Sequence, residues 1–182
     1  MPEKTIKSLR VFEGRLLKLD VLEIRLGARR TGRREIVRHP GAVAVWLMAP
    51  DGRLVLVRQF RKALESTLLE VVAGTREPGE PAAACAIREV REETGYVVPK
   101  VTALGRICTA PGFCDEEIEM FYARAQTAPG ANNPDHDEKI TVRHVTLAQF
   151  AGLVARGAVQ DAKTLAAWSL VRARINLGGL EG

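Results

Sequence analysis

The stretch GTREPGEPAAACAIREVREETGY, residues 74–96, carries the densest pattern in the chain. Pro81 suits the first position of a helix, Ala82, Ala83 and Ala84 have high helical propensity, and Gly95 fits the position just past a helix end. A helix is therefore predicted over Pro81–Glu93. Glu89, Glu92 and Glu93 lie at spacings of three and four on it, so their carboxylates project from one side. Like charges at that spacing cost about 0.2–0.5 kcal/mol per pair on an exposed helix. The negative C-terminal end of the helix dipole adds to the penalty. Something positive is expected to gather there. Hard carboxylate oxygens suit Mg²⁺ or Mn²⁺, which keep several waters and bridge to phosphates. For the helix alone, a solvated acidic face balanced by Arg88 and Arg91 explains the pattern equally well.

Working upstream, Leu68–Ala73 reads as a strand leading into this segment. Ala42–Met48 is almost continuously apolar, as a strand covered on both faces would be. After the Pro50-Asp51-Gly52 turn, Leu54–Val57 is expected to pair with it as a hairpin. His39-Pro40-Gly41 breaks the chain. Ahead of it, Ser8–Val37 reads as a small antiparallel sheet, with turns at Glu13-Gly14-Arg15 and Gly27–Arg34. Within that sheet, Leu17, Leu19 and Val21 alternate in one phase and Leu22, Ile24 and Leu26 in the other, which suggests a bulge or bend. Downstream, Val101–Thr109, Ile118–Ala125 and Ile140–Thr146 read as strands; Leu147–Arg156 and, after an Asp161 cap, Ala162–Leu177 read as helices. The expected division is an N-terminal antiparallel sheet subdomain over residues 1–40 and a main domain over 41–182.

With 182 residues and 46% hydrophobic content, the chain suffices for one core with an appendage. No stretch approaches the roughly 18 apolar residues of a membrane span, and MPEKTIKSLR lacks the apolar segment of a secretory signal. A soluble, cytoplasmic protein with no membrane partner is expected. Cys85, Cys108 and Cys114 match neither a zinc site nor a disulfide framework and read as reduced thiols. A net charge of +5 would suit an anionic ligand, although an arginine-rich solvated surface without any long basic run explains it as well.

From Gly74, five residues lead to Glu80, seven more lead to Arg88-Glu89, and Glu92-Glu93, Gly95 and Tyr96 follow. This segment resembles the Nudix hydrolase signature at every fixed position, with Tyr96 where an aliphatic residue is more usual. The resemblance spans roughly residues 14–159 and is closest to ADP-ribose pyrophosphatases and similar enzymes. Arg58-Gln59-Phe60-Arg61 and Leu69–Gly74 look like the approach to the box in that group. Pro111, in Ala110-Pro111-Gly112-Phe113, stands sixteen residues after Gly95, the spacing associated with ADP-ribose specificity.

The resemblance implies an α+β protein of the Nudix fold: an α/β/α sandwich with a mixed sheet, preceded by the small N-terminal antiparallel sheet, through which a homodimer forms. It implies Mg²⁺, with Mn²⁺ possible, held by Glu89, Glu93, the main-chain carbonyl of Ala73, and Glu92 directly or through water. Arg88 would orient the carboxylates by pairing with Glu80 or a helix glutamate. Glu138, in the acidic loop Asn133–Glu138, would be the catalytic base, with Glu92 and Glu93 also catalytic. Arg61 and Arg58 would face the diphosphate or terminal ribose, although a strand-end arginine also suits the surface. Glu77 and Glu116 would accept hydrogen bonds from ribose or adenine, beside Pro111 and Gly112. His39, His136 and His144 suggest structural or solvent-facing roles. The expected reaction is metal-dependent hydrolysis of a small nucleotide substrate, ADP-ribose or a related nucleoside diphosphate derivative, to AMP and a sugar phosphate. Two rivals remain: a pyrophosphohydrolase of RNA 5′ ends, favoured by the basic pI near 9.4 but not by the downstream proline, and a non-catalytic nucleotide-sensing module, which usually loses the glutamates. Nucleic acid is thus not the expected partner.

Overall fold

A computed structural model describes residues 3–27, 30–130 and 140–176. The chain forms two compact units, one of residues 1–41 with 108–117, the other of 42–107 with 118–182.

In the first unit, β1 (Lys4–Glu13), β2 (Lys18–Leu26) and β3 (Arg30–Arg38) form an antiparallel sheet in that order. Irregularities fall in β1, between Thr5 and Lys7 and between Arg10 and Phe12, while β2 pairs with β3 in unbroken register from Lys18↔Arg38 to Leu26↔Arg30. The irregularity expected from the phase flip thus lies in β1, opposite Leu19–Asp20 and Glu23–Ile24 of β2. Both faces of β2 are partly covered, and buried Asp20 takes a position in phase with Ile24. Arg30, Arg33 and Arg34, expected in a turn, belong to β3, an edge strand on which charged side chains remain solvated. Cys108–Glu117 joins this unit: Val37 N–H donates to the Phe113 carbonyl at 2.8 Å and Asp115 N–H to the Val37 carbonyl at 3.1 Å.

The second unit is built on a seven-stranded mixed sheet. Its central strand is β4 (Ala42–Met48); β5 (Leu54–Arg61), β6 (Ser66–Glu70) and β7 (Val72–Thr75) precede helix α1 (Ala82–Thr94). Then come β8 (Thr102–Cys108), β9 (Glu117–Arg124), β10 (Ile140–Val145), α2 (Leu147–Ala155) and α3 (Ala162–Asn176). The principal order is β10-β5-β4-β9-β8, with β6 on β5 and β7 on β4; β4 and β9 are parallel. The expected β4/β5 hairpin is reduced to the pairs Leu47↔Val55 and Met48↔Leu54, because β7 takes the rest of that edge of β4. The single strand expected over residues 68–73 is split at Val71, whose N–H leaves the ladder for the Thr164 hydroxyl at 2.8 Å.

The apolar run of β4 is explained by layers on both faces. Val43, Val45 and Leu47 pack with Cys85, Ala86 and Val90 of α1. Ala42, Ala44, Trp46 and Met48 pack with Phe150 of α2 and Ala167 and Val171 of α3. The result is an α/β/α sandwich. Trp46 anchors the second layer, with Phe150 edge-on at 5.2 Å and Trp168 stacked at 5.6 Å. No helix among the described residues is long and apolar enough to cross a membrane.

Candidate active site

Helix α1 begins after Pro81 and ends at Gly95, whose left-handed φ of 72° lets its N–H donate to the Arg91 carbonyl at 2.9 Å. Cys85, Ala86 and Val90 anchor the helix in the core. Arg88, near the middle of the helix, is the hub of the acidic cluster. Its Nε and Nη2 each donate to Glu80 at 2.9 Å, a bidentate pair that crosses from the helix to the preceding loop. Its Nη1 donates to Glu89 at 2.7 Å and to Glu92 at 2.9 Å. Hydrogen bonding from Arg88 holds the Glu80 carboxyl at about 2 despite some burial, and the Arg88 guanidinium is held still more firmly in its charged form. Burial, reinforced by Glu80, pushes the Cys85 thiol up to about 12, which leaves it chemically quiet.

Pairing of β7 with β4 sets Gly74 opposite Val43 and Ala73 opposite Ala44, so the backbone of β7 runs beneath the Glu89 side chain. A Cβ at Gly74 would lie 1.9 Å from Glu89 Cδ and 2.0 Å from Oε1. The first glycine of the motif is therefore a cradle for the Glu89 carboxylate, which any side chain would fill. Glu93, also on α1, is only 4% exposed, an unusual burial for an acidic side chain at the negative end of a helix dipole. Among the described residues, no group of three His, Cys, Asp or Glu side chains has the arrangement of a metal site, and Arg88 stands among Glu80, Glu89 and Glu92. The donor chemistry nevertheless fits a hard divalent cation: every candidate ligand is an oxygen, and one of them sits in a cradle of backbone.

Arg61, at the end of β5, donates from Nε and Nη2 to the two oxygens of Glu70, at 2.7 and 2.6 Å. Burial of Glu70 works against ionisation, but Arg61 and Lys163 together hold its carboxyl below the ordinary value. Arg58 is exposed on β5. Glu77 is exposed in the loop before α1, with its N–H on Glu80 Oε2 at 3.1 Å. Pro111, Gly112 and Glu116 belong to the first unit, where Glu116 accepts from the Thr109 hydroxyl at 2.8 Å. In that unit Asp20 accepts from Arg10 and Arg38, which hold its carboxyl at about 2, and Arg38 donates onward to Asp115 at 2.9 Å. His39 Nδ1 accepts from Gly41 N–H at 3.1 Å, and His144 Nε2 meets the Tyr96 hydroxyl at 2.9 Å. Glu138 and His136 lie outside the described residues. Sequence reading did not single out Glu70 or Lys163, nor the close approach of Gly74 to the Glu89 carboxylate above it.

The acidic helix, its arginine hub and the glycine cradle all fall within residues 37–168, which match the NUDIX domain. The chain belongs to the Nudix family. The Nudix chain is 41% identical to the ADP-ribose pyrophosphatase of Bacillus subtilis (strain 168) over 165 residues, 90% of this chain and 89% of that protein. It is 39% identical to the methanol dehydrogenase activator of Bacillus methanolicus, across 91% of this chain and 90% of the relative. The crystal structure of an ADP compounds hydrolase shares the fold with a TM-score of 0.84, covering 99% of this chain and 98% of that one at 22% identity. This Nudix protein is thus an enzyme of the pyrophosphatase kind, in a family that generally uses divalent cations.

Proposed function

We propose that this enzyme hydrolyses the diphosphate linkage of ADP-ribose, or of a closely related nucleoside diphosphate derivative, with Mg²⁺ or alternatively Mn²⁺, giving AMP and a sugar phosphate. The observation that carries the proposal is Glu89 seated over Gly74 beside an Arg88 clamped to Glu80; the pyrophosphatase of Bacillus subtilis at 41% identity supports the substrate. Glu89, Glu92, Glu93 and the main-chain carbonyl of Ala73 would hold a divalent cation, which would supply charge against the diphosphate and acidify a water. Arg88 keeps the Glu89 and Glu92 carboxylates aligned. Arg61 and Arg58 meet the diphosphate or terminal ribose, and Glu77 and Glu116 accept from ribose or adenine, with Pro111 and Gly112 shaping the loop. Glu138 takes a proton from the attacking water as the new P–O bond forms and the bridging P–O bond breaks.

The test is incubation with ADP-ribose, a flavin dinucleotide, dinucleoside diphosphates and other nucleotide sugars plus Mg²⁺, with products separated by chromatography. AMP and a ribose phosphate should appear fastest from ADP-ribose. Turnover of none of these, or faster release from RNA 5′ ends, contradicts the proposal. We further propose a cytoplasmic homodimer formed through the N-terminal sheet. Ile6, Leu9, Val11 and Phe12 on β1, and Leu16 and Leu17 beyond it, are exposed in the single chain. Light scattering should give twice the 19.9 kDa chain mass, and a monomer at micromolar concentration opposes this.

A further inference from the structure

We propose that Glu70 and Lys163 are positioning residues that fix the Arg61 guanidinium for diphosphate binding, so that the first turn of α3 is part of the substrate-binding apparatus. This rests on the reading of Arg61 as a diphosphate contact.

Glu70 ends β6 and is 1% exposed, and a carboxylate so placed requires partners. Both its oxygens have them. Oε1 accepts from Arg61 Nε at 2.7 Å and Oε2 from Nη2 at 2.6 Å, a fork that fixes the plane of the guanidinium as well as its position. Oε2 also accepts from Lys163 Nζ. The Arg61 side chain remains 38% exposed, so a diphosphate can approach it while Glu70 holds one edge.

Lys163 stands in the first turn of α3, where the helix dipole disfavours a cation. Its ammonium faces Glu70 and Asp161, the latter at 2.9 Å. Asp161 in turn caps the helix, its other oxygen accepting from Thr164 N–H at 2.9 Å and from the Thr164 hydroxyl at 2.6 Å. That hydroxyl accepts from Val71 N–H at 2.8 Å, at the break between β6 and β7. The start of α3 thus grips consecutive residues: the Glu70 side chain that orients Arg61, and the Val71 backbone that leads through Ala73 to the Gly74 cradle. Buried ion pairs contribute little to stability relative to apolar residues of the same size, so an arrangement of this precision is better accounted for by orientation than by stability.

The experiment is steady-state kinetics with ADP-ribose and Mg²⁺ on Lys163→Met, Lys163→Arg and Glu70→Gln, in the wild-type and Arg61→Ala backgrounds, alongside thermal melting. Lys163→Met should raise KM about 5- to 20-fold with a smaller effect on kcat, and Lys163→Arg should restore KM to within about twofold. In the Arg61→Ala background, Lys163→Met should raise KM no further, which a merely structural role would not predict. Should Glu70→Gln fail to fold, the Lys163 variants carry the comparison. An Arg61→Ala enzyme with unchanged KM overturns the reading of Arg61 as a substrate contact. If Arg61→Ala raises KM but Lys163→Met either leaves KM alone or raises it equally in both backgrounds, the positioning role is overturned and that reading stands.

Discussion

Replacing Gly74 by alanine separates function from folding at a single atom. Gly74 does not occupy the left-handed region, so alanine meets no backbone penalty there. The added Cβ would lie 1.9 Å from Glu89 Cδ and 2.4 Å from Oε2. Ordinary carbon contacts begin near 3.5 Å, so the carboxylate must retreat by about 1.5–2 Å. Because it is the tip of a flexible side chain, that retreat should cost no more than about 1 kcal/mol of stability. A displacement of about 1 Å in a positioned group is already enough to lower rates about a hundredfold, so kcat/KM for ADP-ribose should fall about 10²- to 10³-fold. Turnover measured across a range of Mg²⁺ concentrations, with thermal melting in parallel, reads both quantities. A Gly74→Ala enzyme within about threefold of wild type at every Mg²⁺ concentration would refute the reasoning; equal collapse of the melting temperature would assign Gly74 to the fold instead of to Glu89.

Arg88→Lys keeps the charge but not the fork to Glu80, and kcat/KM should drop about 10- to 100-fold; near-normal turnover would show that the clamp is dispensable. Glu80 ionises at about 2 in the folded protein against an ordinary 4.5, so its contribution to stability is complete above 4.5 and is lost as pH falls towards 2. Thermal melts across that window should decline less steeply in Glu80→Gln, and an unchanged profile would argue against the pair. Tyr96→Phe removes the 2.9 Å hydrogen bond to His144 and should lower stability by about 1 kcal/mol in denaturant titration while ADP-ribose turnover persists; a loss of turnover without a loss of stability would place Tyr96 in the site.

The second unit was legible where local chemistry and tertiary environment agree. Ala42–Met48 is apolar on both faces because helices cover both, and α1 is bounded by Pro81 and Gly95 much as their backbone preferences dictate. Pairing was less legible. That β7, not β5, takes most of one edge of β4 depends on the break at Val71, which a threonine hydroxyl more than ninety residues later helps to hold. Charged Arg30, Arg33 and Arg34 suggested a turn because their solvation on an edge strand has no local signature. In the site, the motif displayed Glu89, Glu92, Glu93 and Arg88, whose spacing is itself the geometry. The contact between Gly74 and Glu89 and the sharing of Glu70 by Arg61 and Lys163 arise across elements, where sequence spacing carries no distance.

The most direct test is titration calorimetry of Mg²⁺ and Mn²⁺ into the wild-type protein and Glu93→Gln, each with a non-hydrolysable ADP-ribose analogue present. The wild type should take up the cation and the folded variant should bind it at least about tenfold more weakly, with turnover abolished. Absence of uptake by the wild type, or equal uptake and near-normal turnover by the variant, would contradict a role for the α1 carboxylates in holding the ion that drives hydrolysis.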